Sequence, residues 1–165
     1  MKHWNLLLGL LLGINCSAQT TDWQDTYESI EYDDAVAHCE ALMGEDAKVC
    51  ETTCYNYCGK NDLKFESEFI YLGAESDLDS TKLKFIDNWI KAYFNKSYAD
   101  LYKHDILFSN NGNHYRIAVQ EPTLEYYKEE LKKKDRVYLY IMYAGTIVKN
   151  NVVEHIFVAN DFLKK

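Results

Sequence analysis

The chain has 165 residues, 18 basic and 26 acidic, with a net charge of -8. A single Pro, 7 Gly, 47% hydrophobic and 15% aromatic residues exclude a disordered, collagen-like or low-complexity chain. The acid excess argues against general nucleic-acid binding, which needs clustered Lys and Arg.

Residues 1–18 read as an export signal. Lys2 supplies the positive start, and Leu6 to Ile14 is an apolar run broken only by Gly9 and Gly13. That run is shorter than the ~20 residues of a membrane span and suits a signal h-region. Cys16-Ser17-Ala18 offers small residues for cleavage before Gln19, leaving 147 of the 165 residues. Cys16 also offers a lipid-anchoring site. Asn15 stands where a lipobox has a small residue, so plain secretion into the medium or periplasm is expected.

Residues 19–62 read as a cysteine-bearing helical hairpin. Tyr32, Ala35, Val36, Cys39, Leu42 and Met43 keep helical spacing, and Gly44 is a natural stop. Asp46 is placed to cap a second helix from about Ala47 to Cys58. After export, Cys39, Cys50, Cys54 and Cys58 form an even set, which reads as two disulfides in an oxidising compartment. Reflection about Glu45 sets Cys39 opposite about position 51, so Cys50 is its best partner and Cys54 the next; with Cys39 bonded to Cys50, Cys54 and Cys58 then pair across a distorted last turn. His38 adds a nitrogen ligand to the sulfur set. The closely spaced Cys pairs of zinc sites are missing, however, so no metal and no cofactor is expected.

Residues 63–165 read as the main domain. Asn61-Asp62 marks a turn, and Lys64 to Leu72 alternates as a strand. Ser80 is placed to cap a helix over 81–95, with Leu83, Ile86, Ile90, Tyr93 and Phe94 as its buried stripe and Trp89 widening it. Asp105 to Ser109 and His114 to Gln120 flank Asn-Asn-Gly-Asn, a hairpin signal. Pro122 opens a helix to about Lys133 with Leu124, Tyr127 and Leu131 inward. Val137 to Ala144 is apolar on both parities, as in a central strand. Lys149-Asn150-Asn151 turns into a last strand, Val153 to Ala159.

This order predicts an α+β fold: a five-stranded antiparallel OB-like barrel or sheet with a helix between strands 3 and 4. A cystatin-like or NTF2-like sheet wrapped on a helix is the alternative. Glu130-Leu131-Lys132-Lys133-Lys134-Asp135-Arg136-Val137, with Leu139, Tyr140 and Gly145 after it and Ala159-Asn160-Asp161-Phe162 at the close, resembles a pattern in uncharacterised secreted bacterial proteins. Lys134 stands where that pattern has Gly. The resemblance implies a small OB-fold-like β-barrel and brings no catalytic residue with it.

The usual catalytic signatures are missing. His104, His114 and His155, with Asp105 or Glu154, are the available parts of a hydrolase site. Neighbours on a strand face opposite ways, so Glu154 is poorly placed to orient His155. Asn95-Lys96-Ser97 has the form of a glycosylation sequon. Lys132, Lys133, Lys134 and Arg136 form the one local basic cluster, suited to an anionic group or simply to a solvated helix end. Tyr138 and Tyr140 share a strand face that would stack on sugars or grip a peptide, unless a helix covers it. The leading expectation is a non-enzymatic secreted or periplasmic domain binding an envelope protein, peptide or glycan. Its ligand-binding candidates are Tyr138, Tyr140, Lys132, Lys133 and Arg136. A small hydrolase with a site assembled only in three dimensions is the alternative. A protein that docks through its disulfide-bonded hairpin is the third possibility.

Overall fold

The computed structural model describes residues 26–59, 63–94 and 100–165. Residues 1–18 with Cys16, the Asn61-Asp62 turn and the Asn95 sequon lie outside the described residues. The fold is α+β, with three helices and one seven-stranded mixed sheet among the described residues. In chain order the elements are β1 (Glu28–Ser29), α1 (Tyr32–Met43), β2 (Thr53–Tyr57), β3 (Lys64–Asp77), α2 (Ser80–Tyr93), β4 (Tyr102–Asn110), β5 (Asn113–Gln120), α3 (Glu121–Glu130), β6 (Arg136–Lys149) and β7 (Val152–Lys164). A short 3-10 turn, Asp46–Lys48, lies between α1 and β2.

Five strands close a ring in the order β3-β4-β5-β7-β6, and β6 returns to β3. The length of β3 makes closure possible. Its first half pairs with β6 over Lys64 to Ile70, and its second half pairs with β4 from Ile70 to Asp77. A register shift between Tyr71 and Glu75 bends it. Gly73 sits in that bend at φ +75, a conformation that suits a residue without Cβ. Asn111 and Gly112, both at positive φ, make the tight turn between β4 and β5.

Strand alternation sorts the side chains into two cores. Val137, Leu139 and Ile141 of β6 join Phe65, Phe69, Phe108, Ile117 and Phe157 in one cluster. Tyr32, Ala35 and Cys39 of α1, and Leu124 and Tyr127 of α3, pack into it. The alternate residues Tyr140, Met142 and Ala144 face the other way. They join Ala118, Ile156 and Val158 beneath Phe85, Ile86, Trp89 and Ile90 of α2.

Three expectations need correction. The ring is not wholly antiparallel, because β5 pairs with β7 in parallel, and β1 and β2 extend the sheet beyond five strands. The second helix of the hairpin does not form. Residues 53–57 instead pair antiparallel with Lys149 to Gly145 of β6. Thr53, Tyr55 and Tyr57 are strand formers, and Tyr55 and Tyr57 land on Phe85 of α2, at centroid distances of 5.7 and 4.7 Å. The disulfide accordingly joins Cys50 to Cys54, not Cys39 to Cys50 or Cys54 to Cys58. The cysteine spacing of four residues, read as a helix period, serves a turn entering a strand. Lys134 takes φ +81, which explains why a glycine would fit that position.

Candidate functional site

A cavity lies where the C-terminal half of α2 meets the outer face of the barrel. Asp79, not Ser80, caps α2: its carboxylate accepts from the Thr81 and Lys82 backbone N–H groups at 2.8 and 3.0 Å. From that start, helical spacing turns Phe85, Ile86, Trp89 and Ile90 onto the sheet, all buried. The Trp89 indole N–H donates to the Cys58 carbonyl at 2.7 Å, which fixes the ring. The Trp89 and Phe94 rings meet edge to face at 5.0 Å.

Beside these rings is a cavity of about 260 Å³, lined by Trp89, Ile90, Phe94, Leu101, Met142 and a polar trio. The trio is Tyr102 at the start of β4, Gln120 at the end of β5 and Asn160 of β7. The Asn160 carbonyl oxygen accepts from the Tyr102 hydroxyl at 2.6 Å and from the Gln120 amide at 3.0 Å. The Gln120 amide also reaches the Tyr102 oxygen at 3.2 Å. The Asn160 amide donates to the Tyr27 hydroxyl and to the Met142 sulfur. Burial pushes both tyrosines above their ordinary pKa, so they act as neutral hydroxyls. An apolar wall with a few convergent, fixed polar groups is the usual make-up of a small-ligand site.

The sequence-predicted binding residues divide. Tyr140 lies beneath Tyr27, edge to face at 5.5 Å, and is only 4% exposed. Tyr138 is half-buried, with the Lys165 ammonium 5.2 Å from its ring centroid. The pair therefore does not form one open aromatic face. Lys132 and Lys133 are exposed in the turn after α3. Arg136 pairs with Glu68 at 3.3 Å, and Asp135 pairs with Lys164 at 2.7 Å, so carboxylates interrupt the basic cluster. Arg136 also borders an open polar groove of about 420 Å³ with Glu31, Ser109 and Asn110.

The histidines do not assemble a hydrolytic triad with their expected partners. Asp105 is buried and bonded to Arg116 and Ser76. Glu154 pairs with Lys82 at 2.7 Å. His114 is exposed. His104 instead lies among Glu121, Asp77 and Glu75. The bond from Glu121 is the main reason its pKa is raised, and the charges of Glu121, Glu75 and Asp77 add to it. His155 is bonded to the Tyr143 hydroxyl at 3.2 Å, and burial lowers its pKa. His38 is exposed, while Cys39 is buried.

Sequence reasoning missed Gln120, Asn160 and Tyr102, and took Trp89 and Phe94 simply as core. The one available signal was a polar residue at the very end of an apolar strand, as Gln120 is after Ile117-Ala118-Val119. Comparison with protein-family models, curated proteins and solved structures finds no match to this chain.

Proposed function

We propose that this is an exported binding module with an OB-like barrel, whose pocket beside α2 takes an aromatic anchor side chain of a peptide or protein partner. The cavity of about 260 Å³ with its Tyr102–Gln120–Asn160 corner carries the reading. Three features support it. The ring order, with a helix between its third and fourth strands, is that of a five-stranded Greek-key barrel. The pocket volume suits a side chain better than an extended saccharide. The trio supplies both a donor and an acceptor, which favours an aromatic group with a polar tip, such as a tyrosine. Export rests on the signal-like residues 1–18, and N-terminal sequencing of the exported protein should begin at Gln19. A lipid-modified Cys16 would refute free secretion.

The test is a titration with N-acetyl-tyrosinamide, read by NMR at the Trp89 indole N–H and assigned with Trp89→Phe. At roughly 0.3 kcal/mol per heavy atom, this probe should bind with a dissociation constant on the order of 0.1–1 mM. N-acetyl-leucinamide should bind more weakly. No shift of the Trp89 signal at about tenfold higher probe concentration would refute the pocket as an aromatic anchor site.

A further inference from the structure

We infer that Cys39 and Cys58 are the two halves of a second disulfide, which joins α1 to the segment after β2. Cys39 is the third of the α1 residues, with Tyr32 and Ala35, that pack into the barrel core, and it is fully buried. Cys58 packs against the same cluster. Both cysteines line one cavity of about 210 Å³, together with Met43, Asn56, Tyr143 and Thr146. The Cys58 backbone is held from both sides. Its N–H donates to the Ala144 carbonyl at 3.0 Å, and its carbonyl holds the Trp89 indole. The Cys39 thiol feels the charge of Cys58, and the Tyr143 hydroxyl feels both cysteines. Burial pushes the Cys39 thiol up to about 12, so it is a poor first nucleophile.

The half-buried Cys58 is therefore the entry point. Its thiolate attacks a sulfur of a small-molecule or protein disulfide. The donor's S–S bond breaks, one donor thiol leaves, and a mixed disulfide forms at Cys58. The Cys39 sulfur then attacks the Cys58 sulfur, the mixed bond breaks, and the second donor thiol leaves. Two electrons and two protons pass from the cysteine pair to the donor. The bond would close a loop containing Cys50–Cys54, so the two cross-links are nested, not sequential. It would also fix the carbonyl that holds Trp89. This inference does not depend on the identity of any pocket ligand.

The experiment uses the exported chain, reduced and then oxidised with glutathione disulfide. Remaining thiols are blocked with N-ethylmaleimide in guanidinium, and the protein is digested without reduction. Cleavage after Lys48, Glu51, Tyr55 and Tyr57 puts each of the four cysteines on its own peptide. The expected product is a peptide pair joined through Cys39 and Cys58, beside the Cys50–Cys54 link. Cys58→Ala should leave Cys39 alkylated and Cys50–Cys54 intact. Alkylation of both Cys39 and Cys58 in the oxidised wild-type chain, or a bond from Cys39 to Cys50 or Cys54, would overturn the assignment.

Discussion

Gly145→Ala should detach β2 from the barrel without unfolding the ring. Gly145 lies at φ +130, far from the conformations that an L side chain prefers. A Cβ there would stand 1.9 Å from the Asn56 carbonyl oxygen and 3.0 Å from the Tyr57 Cα. Both obstacles are backbone, so no rotamer change relieves them. The strained φ costs on the order of 1–3 kcal/mol. Lifting β2 from Gly145 and Thr146 adds two hydrogen bonds at about 1 kcal/mol each. The expected loss is therefore roughly 3–5 kcal/mol, a large share of the 5–15 kcal/mol typical of a domain. Urea denaturation should show it as a lower midpoint. At about 2–4 °C per kcal/mol, melting should fall by roughly 6–20 °C. Hydrogen exchange should accelerate at Thr53 to Tyr57 while Asn113 to Gln120 stays protected. Because Tyr55 and Tyr57 rest on Phe85, α2 should loosen as well. A stability loss under about 1 kcal/mol, with unchanged exchange in β2, would refute the account.

Asn160→Leu removes the shared partner of Tyr102 and Gln120, so it should cost about 2 kcal/mol and weaken N-acetyl-tyrosinamide binding; calorimetry and the same NMR titration measure both. Tyr127→Phe should be neutral or stabilise by about 1 kcal/mol, since the buried Tyr127 hydroxyl has no hydrogen-bond partner among the described residues; an equal loss in chemical denaturation would contradict this. The two part-buried histidines should titrate on opposite sides of the ordinary 6.5 in an NMR titration, His104 above and His155 below. The stabilising effect of His104 is full below pH 6.5 and fades as pH rises through its elevated value, whereas that of His155 is full above 6.5 and fades as pH falls toward its lowered value. His104→Gln should therefore lower the melting temperature at pH 5.5 more than at pH 8.5, and the reverse order would refute the assignment of His104 to its carboxylates.

The local periodicities carry over to the structure. The alternation at 64–72, the Asn-Gly turn, the helical spacing over 81–93 and the doubly apolar 137–144 run all became elements of the expected type, although Tyr93, expected in the buried stripe, is exposed. Each is set by which faces of a short segment must leave water, and nearest neighbours in the chain encode that. The 47–58 segment shows where this logic stops. Its cysteines recur every four residues, yet Thr53 to Tyr57 form a strand because β6, nearly a hundred residues away in sequence, offers a free edge. The cysteine pairing changed with it, since a disulfide follows tertiary placement. The ring's parallel β5–β7 closure is of the same kind.

The candidate site lay beyond the sequence for a related reason. Tyr102, Gln120 and Asn160 come from three strands, and each alone looks like an ordinary strand end. Only ring closure brings their polar atoms within 3.2 Å of one another. Tyr140 was legible as sharing a strand face with Tyr138, but its cover by Tyr27 was not. The sequence by itself determined the α+β composition, the element order from residue 64 onward and most of the apolar faces there. Tertiary structure alone decided which apolar faces meet, which cysteines are neighbours and where a cavity remains, because those depend on contacts between residues far apart in the chain.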